Sequence, residues 1–226
     1  MKLLLGMPSP RNIPIVEENW ERINEDQVIV KHFREWSAYQ EIRNYFLSHE
    51  EYTHLVICPD DLIITQKDID ILKGDIINSD YPIICGICNV NLNEVNPVAI
   101  IINEIPTMDK ETRSFHFNKF EDLKDDITQV KHAGFPLQII RRDIVELVDF
   151  DSDSGLNGGD PDAIGNIDLI FSHNCDNLNI PIFCDRRARM IHLRGGGELI
   201  NGDPDRRYVK IKTGNMYNFL SGSGGN

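Results

Sequence analysis

Residues 54–64 read HLVICPDDLII, an apolar run that stops at two adjacent aspartates. Leu55, Val56, Ile57 and Cys58 follow one another without alternation, the pattern of a strand buried on both faces. Pro59 has no N–H to give to a sheet ladder, so regular pairing is expected to end there. Asp60 and Asp61 then stand at the carboxyl end of a central strand, the edge at which open α/β sheets bind ligands. Two hard oxygen ligands in that place suit Mg²⁺ or Mn²⁺, and through the cation a diphosphate. A capped turn is the competing reading, because aspartate is common after strands.

Working outward, the chain up to residue 90 alternates. An apolar strand at residues 2–7 gives way to the turn-rich PSPRN, followed by a weakly helical stretch at 16–25 and a strand at 27–33. Ser37 is placed to cap a helix whose face carries Tyr39, Ile42, Tyr45 and Phe46. After the strand at Leu55, residues 67–78 read as a helix with Ile69, Ile71, Leu72 and Ile76 inward, and 81–90 as another buried strand. Strand and helix in strict alternation predict a parallel sheet with crossover helices.

The second half is less regular. Strands are expected at 97–103 and, from the spacing of Phe115 and Phe117, at 114–120. Residues 121–128 are charged and read as a surface loop. Residues 137–140 give a strand running into a short helix at 142–147, residues 167–177 a helix, and 180–184 and 189–193 two short strands. The stretch DSDSGLNGGDPD at 151–162 resembles a calcium loop superficially, but Leu156 stands where that loop needs glycine, and it reads instead as a mobile acceptor loop or lid. The closing SGSGGN has flexible-tail chemistry.

Bulk properties set the outer bounds. With 226 residues, 41% hydrophobic and 26% charged, the chain suits one sizeable folded domain. A net charge of −13 argues against a general nucleic-acid binder. No apolar run reaches the ~20 residues of a membrane span, and MKLLLGMP is too short for a signal peptide. Five cysteines without disulfide spacing fit a reducing compartment, with Cys85 and Cys88 read as buried thiols rather than zinc ligands.

Four features in this order resemble a small nucleotide-sugar-dependent glycosyltransferase with the GT-A fold, most like the family 2 type, over residues 2–193. They are the strand ending in GMPSPRN, the aspartate pair of PDD, the stretch HAGFPLQIIRRDIVE at 132–146, and the acidic loop leading into IDLIFSHNCDNLNIPIFCD. The resemblance implies that Pro8, Ser9 and Arg11 lie against the nucleotide. Asp61 would hold Mn²⁺ or Mg²⁺, with Asp60 on the metal, sugar or ribose, although Pro59 stands where the family often has a further aspartate. Gly134 would let the backbone approach the donor. Arg141 and Arg142 are read as structural ion pairs. Asp168, with Ile167 in place of the usual glutamate, would be the general base of an inverting transfer, kept ionised by the helix dipole. His192 would be a metal ligand or phosphate contact, and Arg186, Arg187, Arg189 and Arg194 include diphosphate partners.

The expected fold class is therefore α/β: a mixed, mainly parallel central sheet flanked by helices. A single domain would span residues 1–213, with nucleotide binding in about 1–90 and the acceptor side in about 91–213, and a flexible tail at 214–226. The expected partners are a nucleoside diphosphate sugar and a glycan, lipid or protein acceptor. The expected location is cytoplasmic, with the cytoplasmic membrane face as a peripheral site. Two other functions compete: a sugar-phosphate nucleotidyltransferase, which usually has a glycine-rich first loop that GMPSPRN lacks, and a non-catalytic binding or structural protein of the same fold.

Overall fold

Strand β1, Leu3–Ser9, is buried along its whole length and pairs in parallel with β2, Asp26–Lys31, on one side and β3, His54–Ile57, on the other. The computed structural model describes residues 1–11, 13–31, 35–90, 97–104, 116–148, 150, 167–193, 208–213 and 216–221. Beyond β3, the antiparallel strand β9, Gln138–Arg141, is inserted before β5, Ile83–Cys88, and the long strand β10, Ile182–His192, continues in parallel with β5. Two short strands complete that edge, β4 (Leu62–Ile63) and β7 (Ile127–Val130), both antiparallel to β10. At the other edge β11, Tyr208–Thr213, pairs antiparallel with β2, and β12, Met216–Ser221, with β11. The sheet thus runs β12-β11-β2-β1-β3-β9-β5-β10-β4, a central mostly parallel core with antiparallel additions. A separate ladder joins β6, Ile100–Ile101, to β8, His132–Ala133.

The unbroken apolar runs have a simple cause: both faces of the sheet are covered. Leu4, Val28, Val30, Leu55 and Ile57 face one core, closed by α2 (Glu35–Leu47), α4 (Arg142–Leu147) and α5 (Ile167–Asn177). Leu3, Leu5, Met7, Ile29 and Val56 face the other, closed by α1 (Pro14–Glu21) and α3 (Gln66–Ser79). Pro14 opens α1, where its missing N–H costs nothing. Thr65 caps α3 through a reciprocal box with Asp68, so that helix starts immediately after β4. An aromatic group of Tyr39, Phe135, Phe150 and Phe171 joins α2 and α5 beneath the sheet.

The alternation expected up to residue 90 is observed, and α3, α4, α5 and β9 fall within a residue or so of their expected bounds. The differences lie where pairing, not composition, decides. β1 runs on through Pro8 to Ser9, because an X–Pro step suits extended backbone. Helix α2 begins at Glu35, so Ser37 lies inside it instead of capping it. Residues 97–104 form only β6 and isolated bridges, and residues 116–119 only a bridge at Lys119. Part of the charged 121–128 stretch is β7, whose backbone groups are satisfied by the first half of β10. The two short strands expected at 180–184 and 189–193 are one strand, continuous through a register shift between Cys184 and Arg189. Residues 216–221, expected in the tail, are the edge strand β12. All five cysteines are buried free thiols. No helix among the described residues is long and apolar enough to cross a membrane.

Candidate active site

The carboxyl ends of β1 and β3 lie side by side because the two strands pair in parallel, and this brings Arg11 to the aspartates. Cys58 still donates to the Gly6 carbonyl, and then Pro59 turns the chain away from the ladder. Arg11 holds Asp60 at both oxygens: the backbone N–H donates to Oδ2 at 2.9 Å and Nε to Oδ1 at 2.6 Å. Its Nη1 donates to Asp61 Oδ2 at 2.6 Å. Burial works against the Arg11 charge, but the two carboxylates outweigh it and raise its proton affinity. Burial pushes the Asp60 carboxyl up, against the pull of Arg11.

Asp61 has a second partner. β4 pairs with the end of β10, and Leu193 N–H donates to the Asp61 carbonyl, which brings His192 alongside. His192 Nε2 lies 3.0 Å from Asp61 Oδ2, while Nδ1 lies 2.9 Å from the Asn89 carbonyl oxygen. A carbonyl only accepts, so Nδ1 carries its proton and Nε2 is the nitrogen turned to Asp61. Burial would raise the Asp61 carboxyl, yet His192 and Arg11 together hold it below its ordinary range.

That geometry tests whether a divalent cation fits. A metal-binding histidine characteristically gives its other N–H to a backbone carbonyl, as His192 does to Asn89. Two oxygen or nitrogen ligands at roughly 2.1 Å on an octahedral ion stand about 3 Å apart, which matches the 3.0 Å between Nε2 and Oδ2. Asp61 and His192 are thus the pair that could share a cation, in competition with their own hydrogen bond and with Arg11, which donates to the same Oδ2. Asp60 has both oxygens engaged by Arg11, and no three His, Cys, Asp or Glu side chains converge on one point among the described residues.

Across from this pair is Asp168, in the first turn of α5. Its Oδ1 accepts the Leu169 N–H at 2.8 Å, and Oδ2 lies 3.9 Å from Nε2 of buried His132 on β8. Burial pushes the Asp168 carboxyl up, offset in part by His132. Gly134 makes room for it: a Cβ there would stand 3.3 Å from Asp168 Oδ2 and 3.1 Å from the Ala99 Cβ. Asp61, His192, Gly134 and Asp168 line one cavity of about 160 Å³, with Phe117 and Ala99 among its apolar walls.

The remaining expected residues sit elsewhere. Pro8 and Ser9 are buried at the end of β1, and neither they nor Arg11 belong to the cavity's described lining. Arg189 lies over the Phe120 ring at 4.5 Å, next to Arg186 at 4.3 Å. Arg187 is engaged by Asp185 and Asp75. Arg141 pairs with Asp143 and Asp80, and Arg142 donates to the carbonyls of Tyr52, Phe46 and His49, both structural as expected. Arg194 and the acidic loop at 151–162 lie outside the described residues. His132 and Ser172 were not singled out from the sequence. The available signal was alternation: His132 is two positions before Gly134, so both face Asp168.

No protein-family model matches the chain, and no curated protein matches its sequence. Solved structures do match. A197 from STIV superposes with a TM-score of 0.56 at 16% identity, covering 86% of this chain and 87% of that one. S. aureus TarS 1–349, in a complex with UDP-GlcNAc, superposes with a TM-score of 0.52 at 11% identity, covering 91% of this chain and 63% of that one. The fold is GT-A-like: a mixed, mostly parallel central sheet flanked by helices. In that fold Asp61, after β3, and Asp168, opening α5, line the same cavity.

Proposed function

We propose that this protein transfers a sugar from a nucleoside diphosphate sugar to an acceptor hydroxyl, as a metal-dependent, inverting glycosyltransferase of the hexosyltransferase type. One observation carries the reading. The pair Asp61–His192, suited to a cation beside a diphosphate, and Asp168, suited to a base, line the same 160 Å³ cavity from different elements of the fold. That volume is well below the ~300 Å³ of a pocket for a whole drug-sized ligand. The reacting end of the donor occupies it, and the nucleoside extends outward along Arg11.

Asp61 and His192 would hold Mn²⁺ or Mg²⁺, which when bound supplies positive charge to the departing diphosphate. Gly134 admits the sugar close to the backbone. Asp168 takes the proton of the acceptor hydroxyl as its oxygen attacks the anomeric carbon from the face opposite the leaving group. A carboxyl raised by burial is a stronger base than an exposed one, provided it is ionised at the working pH.

A second reading has its own support. Arg11 neutralises Asp60 and reaches Asp61 with no cation needed, which suits a binding or structural protein that keeps the fold without catalysis. A thermal-shift and calorimetric screen of nucleoside diphosphates and their sugars, with and without Mn²⁺, separates the two. The transferase reading expects Mn²⁺-dependent binding that Asp61→Ala weakens at least tenfold, and turnover of the bound donor that Asp168→Asn abolishes without loss of binding. Absence of binding by every nucleotide tested, with Mn²⁺ present, would favour the non-catalytic protein. Turnover of a sugar phosphate with a nucleoside triphosphate would instead identify a nucleotidyltransferase.

A further inference from the structure

We propose that His132 is the positioning partner of Asp168, its ring held as the Nδ1–H tautomer with Nε2 turned to the carboxylate, and that the two titrate as a coupled pair. The deduction starts from Ser172 on α5, whose hydroxyl has one proton to give. That proton goes to the Asp168 carbonyl oxygen at 2.8 Å, the usual bond of a helical serine to the carbonyl four residues back. The contact of 3.1 Å between His132 Nδ1 and Ser172 Oγ is therefore an N–H donated by the ring. A neutral imidazole has only one N–H, so Nε2 is bare, and it faces Asp168 Oδ2 at 3.9 Å. That separation is too long for a hydrogen bond, so the two are coupled through charge: an imidazolium there would favour the ionised carboxylate.

Apart from the cavity that Asp168 lines, no other charged group intrudes on this pair among the described residues. His132 is 3% exposed, and burial and Asp168 are what act on its titration. Burial lowers the imidazole and raises the carboxyl, while each partner draws the other back toward its charged form. From β6 the neighbours are Ile100 and Ile101, and the Phe117 ring stands 6.2 Å away. Lys131, next in the chain, is paired with Asp176 of α5. The charged groups of β10 are engaged elsewhere: Asp185 with Arg187, Arg186 with the Leu123 carbonyl, and Arg189 over Phe120.

Its use in catalysis rests on the transferase reading. There, the acceptor O–H bond breaks as its oxygen bonds the anomeric carbon, and the bond from that carbon to the diphosphate breaks with its electron pair leaving on the phosphate. The proton arrives at Asp168 Oδ2, on the carboxyl that Nε2 of His132 faces.

The test is side-chain ¹⁵N NMR of the histidines across pH, with His132 identified by the resonance lost in His132→Asn. The expected result is an Nδ1-protonated, Nε2-bare ring at high pH, whose midpoint falls by about half a pH unit or more in Asp168→Asn. Should His132→Asn fail to fold, Ser172→Ala serves to identify the resonance, because it removes the Nδ1 acceptor and mixes the two tautomers. A ring protonated on Nε2, or a midpoint that Asp168→Asn does not move, overturns the proposal. No nucleotide enters the measurement, so a coupled pair in a protein that binds no nucleotide would count against the transferase reading alone.

Discussion

Arg11 grips Asp60 at both carboxylate oxygens, one through its backbone N–H and the other through its guanidinium. Asp60 is 1% exposed, so it has no water to fall back on if that grip is lost. Removing one partner of a buried pair costs about 3–5 kcal/mol, mostly as the penalty of the stranded charge. Arg11→Ala is expected to lose roughly 3 kcal/mol in urea denaturation, and adding Asp60→Asn is expected to restore much of it. A single substitution that costs under about 1 kcal/mol would mean the grip is not structural.

Gly134 sets how close the backbone stands to Asp168. A methyl group there meets the Ala99 Cβ at 3.1 Å and Asp168 Oδ2 at 3.3 Å, tight enough to push the carboxyl aside by a few tenths of an ångström. On the transferase reading Gly134→Ala should lower kcat by about 10- to 100-fold, with nucleotide affinity little changed, since small misplacements at a reacting centre are costly. A kinetic series on wild type and variant with one donor checks it. An unchanged kcat would remove Asp168 from the reaction.

How much of this could be read beforehand differs along the chain. Leu55 to Cys58 announced a doubly buried strand because both faces of the sheet are covered, and no partner strand need be known to see it. Helix α5 was equally plain, since the apolar run Leu169, Ile170 and Phe171 is buried as expected. β9 was placed, but its antiparallel insertion between β3 and β5 was not, because strand order is decided by long-range pairing. At the site, Asp61 could be named from its strand-end position, and Gly134, Asp168 and His192 from the resemblance to GT-A glycosyltransferases; the structure gathers them at one cavity. The engagement of Asp60 by Arg11 and the contact of His132 with Asp168 were not legible. Each joins residues distant in sequence, and neither residue type specifies which acid it will meet.

His54 provides a pH signature independent of the site. Its burial, with help from Arg141 and the N-terminus, lowers the imidazole to about 4, and its Nε2 has no hydrogen-bond partner. A histidine lowered on folding binds fewer protons in the native state than in the unfolded chain. Its contribution is therefore complete above the ordinary value of about 6.5 and lost as pH falls from there through about 4. The gap corresponds to about 3 kcal/mol. Denaturation of wild type and His54→Gln between pH 7 and pH 4 should show a shallower fall for the variant. Parallel curves would assign the acid sensitivity to other groups.

Gln138 lies fully buried on β9 with neither amide atom hydrogen-bonded to protein. An unpaired buried polar group costs about 1–3 kcal/mol, and methionine has nearly the same volume without that penalty. Gln138→Met is expected to raise the urea midpoint, by roughly 1–2 kcal/mol in stability. Destabilisation would indicate that the amide serves a ligand or an internal water.

The register shift in β10 acts as a ruler. Before it, Ile182 to Asp185 are matched to β7; after it, Ile191 and His192 are matched to β4. Side chains on a strand alternate, so one residue more or fewer in the Cys184–Arg189 interval would send His192 to the opposite face of the sheet and leave Asp61 facing a neighbour of the wrong kind. The length of that irregular step, and not only the identity of the residues around the cavity, is thus a heritable constraint. Insertions and deletions there should be tolerated far less than substitutions at its exposed positions.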